Sequence, residues 1–331
     1  MTDSFKHNSK WFYTGWTILL IAAVILCVSL ALTGCGGSSG GSGSGGGDAG
    51  GAEDGKPLNE GEPGDYKIPE YRGATFDEGK AQGAGGVKLH TSHVETGYVS
   101  LKSDSDKEIK FQVISGNDKY TYDVRKGKKQ VFPLTSGNGK YSFHVMENVE
   151  GNSYAEIYKA SADVKLKDKF QPYTRPNQYA DYDKDSKCVK IAKKLAKQAT
   201  NESDFVAKVY DYVCANVEYD YELAKNIPSD YVPDPDKTIK EKKGICFSYA
   251  SLAASMLRSQ GIPTKIIFGY VAPDDIYHAW NMFYTKEQGW VTVDFQTKKK
   301  DWNRLDLTFA AVGSDNEFIG DGSNYQEVYQ Y

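Results

Sequence analysis

Cysteine and histidine are both scarce in this chain of 331 residues, with five of each. Cys27, Cys35, Cys188, Cys214 and Cys246 are too few to staple a chain this long. No disulfide framework is expected, so each sulfur needs its own account. No Lys/Arg-rich cluster carries interleaved aromatics, which excludes nucleic acid as a partner. No Asp-rich loop has the ligand spacing of a calcium site. The acidic stretch 230–236 (DYVPDPD) is broken by proline and reads as solvated loop. No metal site, nucleotide motif or flavin motif stands out, and no cofactor is expected.

What is present is an ordinary globular mixture. Hydrophobic residues make up 40% and charged residues 25%, and the length suits two ordinary domains with accessories. The formal net charge is −4. The glycine count of 33 is inflated by one segment near the N-terminus.

That segment follows an address. Lys6 and Lys10 flank an apolar run at 17–31 (TILLIAAVILCVSLA), and small residues precede a candidate cut site, as in a secretory signal. Leu32-Thr33-Gly34-Cys35 resembles the bacterial lipobox. The resemblance implies cleavage after residue 34 and lipidation of Cys35. An uncleaved anchor is the alternative, since 11–34 is long enough to span a bilayer. Either way the bulk of the chain is expected on the extracytoplasmic face of the cell membrane, held there by its lipid or its anchor. Residues 35–64 are then the lipidated cysteine and a Gly/Ser-rich flexible tether.

Residues 65–170 read as an all-β, immunoglobulin-like sandwich. Ile109, Phe111 and Val113 alternate with polar neighbours, and so do Tyr141, Phe143 and Val145, and Ala162, Val164 and Leu166. Turn residues at 115–118, 125–127 and 136–139 separate about seven such runs. His90, His93 and His144 fall here and are expected on the solvated surface.

From residue 186 the period becomes helical. Cys188, Ile191, Ala192, Leu195 and Ala199 mark one stripe, with Ser186 as its N-cap. Val206, Val209, Tyr210, Val213, Cys214 and Val217 mark a second, capped by Ser203. Cys188 and Cys214 read as buried apolar groups, which an oxidising environment could join if the helices pack closely. A third helix begins near Cys246 and ends at Gly261-Ile262-Pro263. Strands follow at 264–271, 278–284 and 290–295.

Cys246 sits at a loop-to-helix junction. The first amides of a helix lack internal partners, and the dipole there favours negative charge, so both features favour a thiolate. Gly244 is expected to leave room for substrate, and the Cys246 amide is a candidate oxyanion donor. His278 is the only histidine after His144. It opens a strand joined by a short turn to the strand that carries Asp294. Pairing Tyr284 with Trp290 in that hairpin puts His278 and Asp294 on one face as diagonal neighbours. This is the order of nucleophile, base and orienting acid. Read singly, each has a structural alternative: a core cysteine, a satisfied strand histidine, a strand-end cap. Trp280, Trp290 and Tyr249 are candidate walls of the substrate site, or simply core aromatics.

Gly244-x-Cys246-x-x-Tyr249-Ala250, Gly261-Ile262-Pro263, Gly269-Tyr270, His278-Ala279-Trp280-Asn281 and Gly289-Trp290-Val291-x-Val293-Asp294 occur in this order. Together with the upstream segment 216–220 (NVEYD), the run resembles the transglutaminase-like superfamily over residues 170–300. Phe295 stands where many members have proline. The resemblance implies an α+β, papain-like core over 171–331, with helices packed on an antiparallel sheet. It implies Cys246 as nucleophile, His278 as base and acid, and Asp294 as orienter. The implied activity is protease or acyltransferase chemistry on amide bonds of surface proteins or cell-wall peptides. A catalytically silent binding or structural lipoprotein is the alternative.

Overall fold

The structure, a computed structural model, describes residues 64–271, 276–291, 295–296, 302–303 and 325–331. The expected leader, Cys35 and the tether up to residue 63 lie outside the described residues. Among the described residues no helix is long and apolar enough to cross a membrane.

The first half is strands. In chain order they are β1 (Val87–His90), β2 (Tyr98–Ser103), β3 (Ile109–Ser115), β4 (Asp118–Val124), β5 (Lys129–Pro133), β6 (Gly139–Glu150) and β7 (Ser153–Val164). They form two antiparallel sheets, ordered β1-β2-β5 and β4-β3-β6-β7. The alternation read from sequence is the cause. Ile109, Phe111 and Val113 of β3 turn inward, as do Tyr141, Phe143 and Val145 of β6. Phe132 of β5 meets Phe111 with ring centroids 4.7 Å apart and Tyr122 of β4 at 4.8 Å, which closes the sheets face to face. Each fully buried Phe contributes ~1.5–3 kcal/mol. The β3–β4 turn is Gly116-Asn117, where Gly116 takes a left-handed φ of 57°.

The second half is helices on a sheet. The helices are α1 (Lys187–Gln198), α2 (Glu202–Asn216), α3 (Tyr221–Lys225), α4 (Pro235–Glu241) and α5 (Cys246–Ser259). Short strands β8 (Glu218–Tyr219) and β9 (Lys243–Gly244) pair in parallel ahead of α5. Then come β10 (Thr264–Val271), β11 (Ile276–Thr285), β12 (Gly289–Val291), β13 (Phe295–Gln296), β14 (Trp302–Asn303) and β15 (Tyr325–Gln330). β12-β11-β10-β15 form one antiparallel sheet, and β13 pairs with β14. The result is the expected α+β core of helices on an antiparallel sheet.

The helix stripes bury as expected, but the caps differ. Ser186 makes no side-chain cap bond. Instead Asp236, from α4, accepts from the amides of Lys187 (2.7 Å) and Cys188 (2.8 Å) and caps α1 across space. Asn201 rather than Ser203 caps α2, accepting from the Asp204 amide at 2.9 Å. Asp234 caps α4 through the Lys237 amide. Asp234 and Asp236 of the acidic stretch 230–236 therefore do structural work at two helix starts, while Asp230 and Asp234 stay exposed as expected of a solvated loop. No disulfide joins Cys188 and Cys214, and burial, reinforced by Asp236, pushes the Cys188 thiol up.

One histidine expectation is corrected. His90 is 1% exposed, accepts at Nδ1 from the Asp77 amide (3.2 Å) and lies against Phe76 and His93. His144 is half-buried between Ser142 and Glu156. The end of β1 turns His90 inward, whereas its polarity alone suggested solvent.

Candidate active site

Three local features place Cys246. Segment 218–220 lies beside the preceding loop, with Glu218 N donating to Lys242 O and Asp220 N to Gly244 O, both at 2.9 Å. Lys242 closes α4 in a left-handed conformation, φ 56°. Ser248 then folds back over the helix start: its Oγ accepts from the Ile245 amide at 3.2 Å, and its amide donates to Ile245 O at 2.8 Å. Cys246 is thereby fixed as the first residue of α5, half-buried, where the helix amides point outward.

Gly244 has a different role from the expected one. A Cβ there would lie 2.5 Å from Ser248 Cβ. The glycine makes room for Ser248 to brace the helix start, not for substrate.

The direction of α5 sets what Cys246 can meet. Its C-terminal turn lies at the start of β10 and the end of β11: Arg258 Nε donates to Thr264 O at 2.8 Å, and Tyr284 N donates to Pro263 O at 2.9 Å. Further back, Asn281 Nδ2 donates to Ala250 O at 3.1 Å. One helical turn before Ala250 is ~5.4 Å, or about two residues of strand. Cys246 therefore comes level with Ala279 and its neighbour His278. His278 is 4% exposed and pairs across from Gly269. Ala279, Asn281 and Phe283 turn toward α5, and alternation gives His278 and Trp280 the other face of β11.

Trp280 is buried among Ile267 and Val271, and its ring lies 6.3 Å from the imidazole at 14°. It backs His278. A Cβ on Gly269 would lie 2.8 Å from Trp280 Cη2 and 2.0 Å from Gln326 O, so only glycine admits both ring and strand there.

The hairpin register is the one read from sequence: Phe283 pairs with Val291, Tyr284 with Trp290 and Thr285 with Gly289. Asp294 lies outside the described residues. Among the described residues no group of three or more His, Cys, Asp or Glu side chains is arranged to hold a metal.

Two of the candidate walls are corrected. Tyr249 is fully buried, and its hydroxyl donates to Val217 O at 2.7 Å. It points to the helical core because it lies three residues from Cys246, on the side packed against α2. Trp290 sits opposite Tyr284, six strand residues from His278 and so ~20 Å away. There it packs on Phe170 and Tyr173 under the Lys265 ammonium, 4.4 Å from its ring. Sequence reasoning missed Tyr231. Its hydroxyl bonds to Ser248 Oγ at 2.8 Å, and its ring lies 6.3 Å from Phe247, beside the thiol. No sequence pattern signals this, because the contact closes a loop of 17 residues.

Comparison with known proteins agrees with the residues. Residues 189–295 match the family model of the transglutaminase-like superfamily. The uncharacterized protein YebA of Bacillus subtilis is 32% identical over 122 residues, 31% of this chain and 16% of that protein. A protein-glutamine gamma-glutamyltransferase of Pseudomonas aeruginosa is 31% identical over 93 residues, 24% of this chain and 14% of that protein. The chain thus spans less than a fifth of the length of each of these relatives. Among solved structures, Legionella pneumophila LapG aligns with a TM-score of 0.30 at 15% identity, covering 43% of this chain and 70% of that one.

Proposed function

We propose that this protein is a cysteine acyl-transfer enzyme, tethered through Cys35 to the extracytoplasmic face of the membrane, that acts on amide bonds of surface proteins or cell-wall peptides. Cys246 is the nucleophile, His278 the base and acid, and Asp294 the orienter. The observation that carries the reading is Cys246 at the first position of α5, level with a buried His278, inside the family match.

The thiolate attacks a carboxamide or peptide carbonyl, and the Cys246 amide donates to the developing oxyanion. The imidazolium of His278 protonates the departing ammonia or amine as the C–N bond breaks, leaving a thioester. Water attacking the thioester gives hydrolysis, and an amine gives a cross-link. His278 takes the proton of either nucleophile, and the thiolate leaves. The ring must reach the thiol around the start of β11, where its neighbours Gly269 and Ala279 are small.

The reading is tested by alkylating the full chain with iodoacetamide and mapping the labelled cysteines. Cys246 is expected to react faster than free cysteine at neutral pH, and His278→Ala to slow it on the order of 10²-fold. Reaction at the rate of free cysteine, unaltered by His278→Ala, would sink the enzyme and favour a silent binding lipoprotein. With activity in hand, mass spectrometry of a treated cell-surface extract separates new chain termini from new isopeptide bonds.

A further inference from the structure

Helix α5 covers the sheet at Ile266, Ala279 and Phe283 and stops at Cys246. Beyond that stop the same sheet face continues as Phe268, Tyr270 and Tyr277, by the register that pairs Phe268 with Ala279 and Tyr270 with Tyr277. Tyr270 is 40% and Tyr277 52% exposed. A cavity of about 270 Å³ opens against this floor. Its aromatic wall starts at Phe247, the residue after the nucleophile, and runs through Tyr179, Phe268, Tyr277, Tyr329 and Tyr331. Phe247 meets Tyr179 at 5.3 Å and Phe268 at 4.8 Å, each with ring planes 77° apart. Lys119 and Asp123 of β4 lie on the cavity's polar side.

We propose that this cavity is the subsite for an aromatic side chain of a polypeptide acyl donor, one to three residues from the carbonyl that Cys246 attacks. The inference rests on the acyl-transfer reading and names its substrate class. Three arguments carry it. The cavity begins one residue from the sulfur, and an extended chain advances ~3.3 Å per residue with alternate side chains on one side. Its volume falls below the ~300–1,000 Å³ of sites for drug-sized ligands and suits a single side chain. Phe247 stands at 77° to Tyr179 and Phe268, and Tyr331 at 85° to Tyr179 and 87° to Phe268, an arrangement that another ring extends edge to face, while Phe268 and Tyr277 stack at 26°. A sugar would instead need one flat stacking face. The exposed tyrosines at the mouth offer hydroxyls to the backbone of the same substrate.

The test uses the full chain and a pair of peptides that differ only by Phe or Ala flanking the reacting position. Each is made with and without a thiol-reactive electrophile. The Phe peptide is expected to label Cys246 on the order of tenfold faster than the Ala peptide. In Tyr277→Ala and Tyr329→Ala the ratio, taken within each variant, falls toward one. The electrophile-free pair, titrated against Cys246→Ser, reads the same preference as a ratio of dissociation constants without any chemistry. A ratio near one in both formats overturns the subsite. So does a ratio that survives both tyrosine variants, or a stronger preference for an N-acetylglucosamine-bearing peptide. A preference in binding with no labelling of Cys246 keeps the subsite and overturns the acyl-transfer reading instead.

Discussion

Arg258 offers a demanding test of how this core is held. It is 1% exposed on α5, and among the described residues no carboxylate is one of its hydrogen-bond partners. Its guanidinium spreads over three main-chain carbonyls: Nε to Thr264 O at 2.8 Å, one terminal nitrogen to Arg175 O at 3.2 Å and the other to Tyr331 O at 2.8 Å. Burial lowers its pKa from 12.5 to about 10, so it stays charged at neutral pH. At ~1.4 kcal/mol per tenfold in proton affinity, the cation sits ~3 kcal/mol worse than in water even with its bonds made. Arg258→Met removes that cost and fills much of the space, but withdraws a donor from three carbonyls; Tyr331 O keeps the Ile266 amide, so two are left short at ~1–3 kcal/mol each. Set against the ~3 kcal/mol relieved, the net expectation is a loss of at most ~3 kcal/mol. Arg258→Lys keeps the charge and its burial cost, yet a single ammonium cannot span three carbonyls arranged around a planar fork. Its expected loss is larger, ~3–5 kcal/mol. Urea unfolding followed by circular dichroism reads both as a lowered midpoint at constant slope. A lysine variant as stable as wild type, with methionine the worse of the two, would show that charge rather than fork geometry holds the site.

Two further outcomes are expected. Gly244→Ala forces a Cβ to within 2.5 Å of Ser248 Cβ, costs ~1–3 kcal/mol as overpacking and shifts the first turn of α5, so Cys246 alkylation slows; unchanged alkylation at unchanged stability would refute the bracing role of Ser248. Burial, and then Asp236, raise the Cys188 thiol, so its contribution to stability is complete below the unfolded thiol value of ~8.5 and is lost as pH rises past it. Cys188→Ala is therefore less stable at pH 7 but loses less between pH 8 and 10, and equal slopes in unfolding midpoints would contradict this.

Much of the site was legible in local pattern. Alternation at Ile109, Phe111 and Val113 named the inward face of β3, and the helical stripe from Cys188 named the buried face of α1. A tight turn and two alternating runs fixed Tyr284 opposite Trp290, because a short hairpin leaves few registers that keep Phe283 and Val291 together inside. The start of α5 at Cys246 was legible for the same reason: the apolar period begins there and glycine breaks it on either side.

Other features were not. Tyr249 and Trp290 share the motif with Cys246 and His278, yet one enters the helical core and the other the far end of the sheet. Residues 65–71, read as the beginning of the sandwich, lie along the helices, with Tyr66 stacked on Phe205 and bonded to Gln260 O at 2.7 Å. Ser186 and Ser203 had the composition of caps, but Asp236 and Asn201 took the amides. Periodicity and turn chemistry act between residues a few positions apart, so the sequence alone determined the faces of the elements, the hairpin register and the helix-start position of the candidate nucleophile. Which carboxylate reached α1 from 48 residues away, which strand lay beside β10 and which rings closed the cavity next to Cys246 were decided only in the tertiary structure. Those contacts depend on the whole chain's packing, where many segments compete for one buried surface and only the assembled core selects among them.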